Sequence, residues 1–321
     1  AVASPGSSLR RPPVSLVVAH RRWMRLAAVA VALSLPLSAF AVEMPNRRVA
    51  LVTGANKGVG LEIAKGLAQN GFTTVLGCRD VGLGEAAAAK LRSQGVDNVS
   101  VERLDLTDAA TWATCVDAIE AKHGRLDVLC NNAAICFNDA TLYGKVSYTP
   151  FERQAEVTVR TNFGGTLGIT KACLPLLRKA PSPRVINIAS SAGRLSILKS
   201  KAKAALVTSP QLQLGALEGL MKSFVDDVKA GKHVQEGWPN TCYGTSKIGI
   251  IAMTRVFARD EPLIAFNAVD PGYCKTDQNA NNGSLPPTTG AKTPVALATC
   301  EAPQSGKFFS YNGNELDWLR T

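Results

Sequence analysis

The sequence is poor in histidine and in aromatic side chains. It holds 3 His, and Phe, Trp and Tyr together make up 6% of its 321 residues. Its 8 cysteines include no Cys-x-x-Cys pair and have no companion cluster of histidines. Structural zinc sites are built from such pairs and clusters, so we expect no metal centre. The cysteines fit small buried apolar side chains in a reducing compartment better than a disulfide framework.

The chain also lacks the charge pattern of a nucleic-acid-binding protein, although its formal net charge is +11. Residues 1–43 hold five Arg and one Glu, which account for +4 of that charge. In the remainder the charges are mixed, with no Lys/Arg run longer than two and no interleaved aromatic residues. We therefore expect no nucleic-acid partner. A basic surface of this kind also suits an anionic cofactor.

Residues 1–43 differ from the rest of the chain. Within residues 24–41, a basic start at Arg25 precedes an apolar run and a small-residue end at 39–41. This is the layout of a cleavable targeting segment, and the run is too short to span a bilayer comfortably. It fits a secretory or plastid-type leader, an uncleaved anchor, or an untranslated or disordered extension before a start at Met44. A start at Met44 predicts a cytoplasmic protein, without a membrane segment in the folded domain.

From Arg48 onward, short apolar runs alternate with stretches of helical periodicity. The predicted strands cover residues 48–54, 73–79, 99–106, 126–133, 183–190 and 263–272, with a last apolar run at 306–311. The predicted helices cover 61–71, 85–95, 109–124 and 150–179, with another beginning near Tyr243. Such alternation predicts βαβ units. The fold class is therefore α/β: one Rossmann-type domain over 44–321, with a doubly wound parallel sheet and helices on both faces.

A glycine-rich stretch, "VTGANKGVG", joins the first predicted strand to the first helix. Gly54, Gly58 and Gly60 lack Cβ atoms, so backbone N–H groups can approach a diphosphate at the helix N-terminus. Ligands of such sheets bind beyond the carboxyl ends of the strands. The pattern also occurs in plain βα turns, but its place after the first strand favours a dinucleotide cofactor.

The charges near the second strand indicate which dinucleotide is bound. An acidic residue at the end of that strand would repel a ribose 2′-phosphate. Here the strand ends in Cys78 and Arg79, and Lys57 lies in the glycine-rich stretch. These two cations favour NADPH over NADH, although Asp80 is placed where it could pair with Arg79.

Three motifs stand in a fixed order: TGxxxGxG at 53–60, NNAA at 131–134 and YxxxK at 243–247. With them the chain resembles the short-chain dehydrogenase/reductase superfamily from about residue 48 to residue 318. The stretches "TGANKGVGLEIAKGL", "AEVTVRTNFGGT", "EGWPNTCYGTSKIG" and "GAKTPVALA" are most similar to its NADPH-dependent carbonyl reductases, including plant menthone and salutaridine reductases.

The resemblance implies reduction of a small-molecule ketone, aldehyde or quinone to an alcohol. The same machinery also fits the reverse reaction, in which an NADP-dependent dehydrogenase oxidises a terpenoid or steroid-like alcohol. A third interpretation is a non-catalytic NADPH-binding sensor. A sensor has no use for the Tyr–Lys pair, so the motifs favour an enzyme.

The resemblance also assigns catalytic roles by position. Tyr243 would be the general acid, and Lys247, one helical turn away, would lower its pKa from about 10. In the family this lysine also holds the nicotinamide ribose. Ser190 would hydrogen-bond the substrate oxygen, with Ser191 as the adjacent competitor. Asn162 would hold a water in a proton relay through Lys247.

Cofactor contacts follow from matching positions in the glycine-rich stretch and at the strand ends. Asp105 would meet the adenine amine, Ala133 the adenosine, and Thr276 the nicotinamide amide. The full predicted set is Gly54, Asn56, Lys57, Gly58, Val59, Gly60, Arg79, Asp105, Leu106, Asn131, Ala133, Tyr243, Lys247, Pro271, Gly272 and Thr276.

The segment between Ser190 and Tyr243 is longer than is common in the family. The surplus, residues 195–240, contains Leu214, Leu217, Met221, Val225 and Val228 at helical spacing, which predicts an amphipathic helix. In similar carbonyl reductases such an insertion shapes the substrate cleft and covers the helix face through which oligomeric relatives assemble. The resemblance therefore predicts a monomer.

Overall fold

The computed structural model of the protein describes residues 47–137 and 149–320. The predicted targeting segment lies outside the described residues. Within those two ranges, no helix is long and apolar enough to cross a membrane.

A single parallel sheet of seven strands forms the centre of the domain, in the order β3-β2-β1-β4-β5-β6-β7. All the pairings between neighbouring strands are parallel. This confirms the predicted Rossmann-type, doubly wound α/β fold. The strands are β1 (Val49–Thr53), β2 (Thr73–Cys78), β3 (Val99–Arg103), β4 (Val128–Asn131), β5 (Arg184–Ile188), β6 (Ala265–Val269) and β7 (Lys307–Phe309).

Both faces of the sheet are covered by helices. In β1, Val49 and Leu51 belong to one apolar cluster, whereas Ala50 and Val52 belong to the other. Because side chains alternate between the faces of a strand, the two clusters lie on opposite faces. The helices are α1 (Gly58–Gln69), α2 (Val81–Arg92), α3 (Ala109–His123), α4 (Phe151–Thr158), α5 (Thr166–Leu177), α6 (Lys201–Thr208), α7 (Leu214–Lys229), α8 (Cys242–Asp260) and α9 (Pro287–Thr299).

Two helical predictions need correction. The helix predicted over 150–179 is interrupted by a π-helical segment, Val159–Gly165, between α4 and α5. The helix α9 was missed altogether, because Pro287 starts it and Pro294 lies inside it. Pro294 reads as a helix breaker in a sequence, but α9 packs closely on α1, where a Cβ on Gly66 would lie 2.8 Å from Val295 Cγ2.

The insertion contains the predicted amphipathic helix, α7. Leu217, Met221, Val225 and Val228 are buried as expected, and Leu214 is half-buried. The apolar side of α7 packs on α8, since a Cβ on Gly249 of α8 would lie 2.9 Å from the Met221 sulfur. The insertion therefore covers a face of the helix that carries Tyr243.

The cysteines behave as the sequence predicted. Six of the eight are buried, and the other two, Cys136 and Cys300, are half-buried. Burial raises the pKa of the Cys130 and Cys173 thiols far above the ordinary value, so these side chains stay neutral and act as small apolar groups.

Candidate active site

The glycine-rich loop between β1 and α1 makes close backbone contacts. Gly54 and Gly58 adopt φ angles of +66° and +59°, the left-handed region that favours glycine. A Cβ on Gly60 would lie 2.5 Å from the Gly54 carbonyl oxygen and 2.3 Å from Asn132 Nδ2. No larger residue fits at Gly60 without moving the loop, so this path of the backbone requires glycine.

The start of α1 fits an anionic group. Its N-cap is Lys57, which has no side-chain oxygen to accept the first-turn N–H groups, so those donors have no side-chain cap. Such a helix start, reached by a loop without Cβ atoms, fits the diphosphate of a dinucleotide. The Lys57 side chain is exposed at the same place. Asn56 is half-buried in the loop, and Val59 is buried in the first turn.

Asp80, which the sequence placed where it could pair with Arg79, caps a helix in the structure. Asp80 Oδ1 accepts a hydrogen bond from the Leu83 backbone N–H at 3.0 Å and so caps α2. The described residues show no ion pair between Asp80 and Arg79. Arg79, at the end of β2, is exposed. Its charge acts on Asp105, at the end of the neighbouring strand β3.

Asp105 is held as an anion beside these cations. Burial of Asp105 by itself raises its pKa, but hydrogen bonds from Thr107 and the charges of Arg79 and Arg103 lower it overall. Both Thr107 bonds, from the backbone N–H at 2.9 Å and the hydroxyl at 2.8 Å, reach Oδ1. Leu106 is buried, and its carbonyl oxygen would lie 2.3 Å from a Cβ on Gly165.

The NNAA motif ties β4 to the glycine-rich loop through Asn132, a residue that the sequence analysis missed. Asn132 Nδ2 donates to the carbonyl oxygens of Thr53 and Gly54 at 3.0 and 3.2 Å. The backbone N–H groups of Asn132 and Ala133 both donate to Thr53 Oγ1. Asn131 is buried instead, and its amide donates within the core at 2.9 and 2.8 Å. The side chain that positions the loop is therefore the second asparagine of the motif.

The residues predicted for catalysis meet beyond the end of β5. Ser190 hydrogen-bonds the Tyr243 hydroxyl, whereas Ser191 is exposed. Lys247, one turn further along α8, is buried, and its Nζ lies 5.4 Å from the centroid of the Tyr243 ring. Lys247 Nζ also donates to the Ile188 carbonyl oxygen at 2.6 Å. The geometry therefore brings Ser190, Tyr243 and Lys247 together and separates Ser190 from its competitor.

The predicted lowering of the Tyr243 pKa is wrong in this structure. Tyr243 keeps some exposed surface, but its hydroxyl is densely surrounded, and this desolvation raises the pKa above its ordinary value of 10. Hydrogen bonds from Gln278 and Ser190 offset only part of the rise. Burial also lowers the pKa of Lys247 from 10.5 to about 8, so the cation is itself easily lost. For the Tyr243 pKa, desolvation thus outweighs the attraction between the tyrosinate and the Lys247 cation that the Tyr–Lys spacing suggested.

Asn162 lies within the π-helical segment and joins three parts of the site. Its Oδ1 accepts from the Ile135 N–H, and its Nδ2 donates to the Ile135 carbonyl oxygen, both at 2.8 Å. Nδ2 also donates to Ser246 Oγ at 3.1 Å, next to Lys247. The side chain therefore holds the chain after β4 against α8. The π-helical segment lies at the predicted relay residue, in keeping with the frequent occurrence of such segments at functional sites.

The turn after β6 lies close to the glycine-rich loop. Gly272 has a φ of +75°, and Thr276 Cγ2 would lie 3.3 Å from a Cβ on Gly58. Two residues that the sequence analysis did not single out follow directly. Asp277 forms an ion pair with Lys57 at 2.8 Å, and the Gln278 side chain hydrogen-bonds the Tyr243 hydroxyl. Their sequence, "TDQN", has no periodicity that could have revealed these contacts.

A Rossmann-type sheet with Ser190, Tyr243 and Lys247 assembled beyond β5 defines an oxidoreductase that acts on carbonyl or alcohol groups. Comparison with known proteins agrees. A family model for short chain dehydrogenases matches residues 48–206. Carbonyl reductase (NADPH) 1 from Sus scrofa is 38% identical over 274 residues, which cover 81% of this chain and 90% of that protein.

Two solved plant structures are similar to this chain along nearly their whole length. Salutaridine reductase from Papaver somniferum has a TM-score of 0.75 and 32% identity, covering 82% of this chain and 99% of its own. Menthone neomenthol reductase from Mentha piperita has a TM-score of 0.71 and 30% identity, covering 83% of this chain and 99% of its own. The chain belongs to the short-chain dehydrogenase/reductase family, and within it is similar to the carbonyl reductases.

The lowered pKa of Lys247 predicts a pH-dependent stability. Between pH 8 and 10.5 the unfolded chain binds more protons at this lysine than the native chain does. Its contribution to the free energy of unfolding therefore rises with pH across that range, by up to about 3 kcal/mol. Urea denaturation at several pH values should show wild type gaining stability relative to Lys247→Met as pH rises. The exposed control Lys222→Met should keep the wild-type slope, and equal slopes for all three proteins would contradict the burial of this ammonium.

Proposed function

We propose that the protein is an NADPH-dependent carbonyl reductase that converts a ketone, aldehyde or quinone into an alcohol. The observation that carries this proposal is the Tyr243 hydroxyl, hydrogen-bonded by Ser190 at the end of β5, with the Lys247 ammonium one turn away. The similarity to proteins named as NADPH carbonyl reductases supports the same reaction.

The dinucleotide would lie across the carboxyl edge of the sheet. Its diphosphate fits the start of α1, and its adenosine end fits the region of Asp105 and Ala133. Lys57 and Arg79 are the cations available to a 2′-phosphate, and with Asp80 engaged as a cap they favour NADPH. The nicotinamide end fits the turn that contains Pro271, Gly272 and Thr276. When bound, NADPH supplies the hydride that the substrate carbonyl carbon receives.

The protein's own groups act on the substrate oxygen. The hydroxyls of Ser190 and Tyr243 donate hydrogen bonds to it, and these bonds stabilise the negative charge that develops as the hydride arrives. Tyr243 then gives its proton to that oxygen. The phenol is protonated at neutral pH, as a general acid must be, because even its ordinary pKa is about 10.

The two directions of the reaction would start from different protonation states of Tyr243. Oxidation of an alcohol needs the tyrosinate as a base, and burial disfavours that charged form. Reduction needs the neutral phenol, which burial favours. Because an enzyme catalyses both directions through one transition state, we prefer the carbonyl reductase over the NADP-dependent alcohol dehydrogenase on the similarity to proteins named as NADPH carbonyl reductases. Lys247 and Asn162 would act by holding α8 against the segments around it, and Lys247 also by binding the nicotinamide ribose.

The first prediction concerns Tyr243→Phe, which removes the proton donor and keeps the ring. We expect kcat for carbonyl reduction to fall by roughly 10²- to 10⁴-fold, with the Kd for NADPH changed little. NADPH consumption is measured with a panel of ketones, aldehydes and quinones, and NADPH binding by fluorescence. Tyr311→Phe is the matched control and should keep wild-type rates. A wild-type chain that binds NADPH and reduces nothing would support the sensor, and an active Tyr243→Phe would remove the phenol from the mechanism.

The second prediction concerns cofactor choice. Arg79→Ala removes a cation that would pair with the 2′-phosphate. A charged hydrogen bond is worth about 1.5–3 kcal/mol, so the Kd for NADPH should rise roughly 10- to 150-fold. The Kd for NADH should hardly change, because NADH lacks that phosphate. Arg92→Ala, which breaks an exposed pair with Glu85 elsewhere on the surface, is the control. Equal losses for both cofactors would place Arg79 away from the 2′-position.

The third prediction concerns assembly. We propose that the protein is a monomer, because α7 buries an apolar face of α8 within the same chain. Sedimentation should give a single species with the mass of one chain (33.9 kDa for the 321 residues) at micromolar concentrations. A tetramer would overturn the proposal that the insertion replaces an intersubunit contact.

A further inference from the structure

The chain after β7 reaches the active site through a tryptophan near its C-terminal end. It first folds back along β7, where the Leu316 N–H donates to the Phe308 carbonyl oxygen at 2.7 Å. Trp318 follows in a short 3₁₀ turn and is buried. Its indole Nε1–H donates to the Gly193 carbonyl oxygen at 2.9 Å, across 125 positions of the sequence. Gly193 lies three residues after Ser190, so this bond ties the C-terminal segment to the end of β5.

The turn that accepts this bond also holds the Ser190 hydroxyl. It covers residues 191–193 and begins at Ser190. The Gly193 N–H donates to the Ser190 carbonyl oxygen at 2.9 Å, and the Ala192 N–H donates to Ser190 Oγ at 3.1 Å. The second bond uses a lone pair of the hydroxyl oxygen and leaves its hydrogen to be donated. The orientation of the Ser190 hydroxyl therefore depends on the position of the turn.

The turn is packed directly on α8. A Cβ on Gly193 would lie 2.7 Å from the Lys247 carbonyl carbon and 2.9 Å from the Ile248 nitrogen. The Trp318 ring is held by the same helix, because the Arg255 guanidinium lies over it at 5.8 Å from the ring centroid. Gly193 is thus bounded by the α8 backbone and by the Trp318 indole, and the place of the turn is set by both.

Burial of the ring does not by itself account for this contact. Trp318 belongs to the larger apolar cluster, where any aromatic ring of similar size would fill the space. The indole N–H, however, is directed at one carbonyl oxygen, and Gly193 is buried as well. A buried carbonyl that loses its donor is not compensated by water, so the bond resists displacement of the turn.

We propose that Trp318 is a positioning residue for carbonyl reduction, which fixes the Ser190 hydroxyl through the Gly193 carbonyl group. The inference rests on the proposed function. The indole N–H holds the turn on α8, and the turn holds the hydroxyl through the Ala192 N–H. That hydroxyl must lie roughly 3 Å from the substrate oxygen as negative charge develops there, so a displaced turn weakens the bond that matters in the transition state.

The test is Trp318→Phe in the full chain, which keeps a buried aromatic ring and removes the indole donor. The substrate is the ketone that the wild type reduces fastest. Loss of a donor to a buried acceptor should lower kcat, counted per NADPH-binding site, by roughly 5- to 100-fold. The Kd for NADPH should hardly change, because the glycine-rich loop and its cations are untouched. An unchanged kcat per site would overturn the inference.

A double-mutant cycle tests the path through Ser190. In a Ser190→Ala background, measured as single turnovers with excess enzyme, Trp318→Phe should lower the rate less than about twofold, because the turn has no hydroxyl left to position. The same loss in both backgrounds would overturn the inference, since Trp318 would then support the domain in general.

Trp238→Phe is the matched control. Trp238 is also buried, and its indole N–H also donates, to Asp227 Oδ2 at 2.8 Å within the insertion. The control should lower the free energy of unfolding and leave kcat per NADPH-binding site unchanged, and an equal loss of kcat in the two variants would contradict the proposal. Where Trp318→Phe does not fold, replacement of Trp318 by benzothienylalanine, whose ring has sulfur in place of the N–H, provides the same comparison.

The two proposals fail in different ways. A wild-type chain that reduces no carbonyl compound would overturn the proposed function and this inference with it. Carbonyl reduction that requires Tyr243 and is unchanged in Trp318→Phe would overturn the role of Trp318 alone.

Discussion

The parallel pairing of β4 with β1 and with β5 is the constraint on which the site depends. It brings the carboxyl ends of three strands, distant in sequence, to one edge of the sheet. Thr53 at the end of β1 then accepts hydrogen bonds from the chain just after β4, and Ile188 at the end of β5 accepts one from Lys247 on α8. The glycine-rich loop and the Tyr–Lys helix are thus fixed to the same buried scaffold. Because the sheet is covered on both faces, this edge is where polar groups can gather.

The same burial determines the electrostatics of the site. The Tyr243 hydroxyl and the Lys247 ammonium are both removed from water, and each pKa moves toward the neutral form of its group. A protonated phenol beside a weakly held lysine proton can donate a hydrogen bond to a substrate oxygen, as the proposed reduction requires. Close packing has a cost as well, because the groups that crowd the tyrosine hydroxyl include Gln278. Access to the reacting atoms therefore depends on a polypeptide segment as well as on side-chain chemistry.

The insertion and the turn from Thr276 to Asn279 are held in place by different interactions. Helix α7 covers α8 with an apolar face, and Phe224 packs edge-to-face on the buried Trp238 at 5.2 Å between ring centroids. This part is held by burial of apolar area. The turn from Thr276 to Asn279 is held by an exposed ion pair and a few hydrogen bonds, which water and salt weaken. The insertion thus stabilises the helix that carries the tyrosine, and the turn is the part of the site more easily displaced.

The sequence by itself determined the features that depend on local periodicity and on single residue types. The alternating strands and helices, the glycine loop, the amphipathic α7 and the one-turn spacing of Tyr243 and Lys247 follow from patterns within a few residues. Only the tertiary structure decided which asparagine of the NNAA motif holds the loop, where α9 forms around Pro294, and how Asp277 and Gln278 contact the site. It also reversed the expected direction of the Tyr243 pKa. These features arise from contacts between residues far apart in the chain and from the exclusion of water around them. The spacing of neighbouring residues predicts neither the contacts nor the burial.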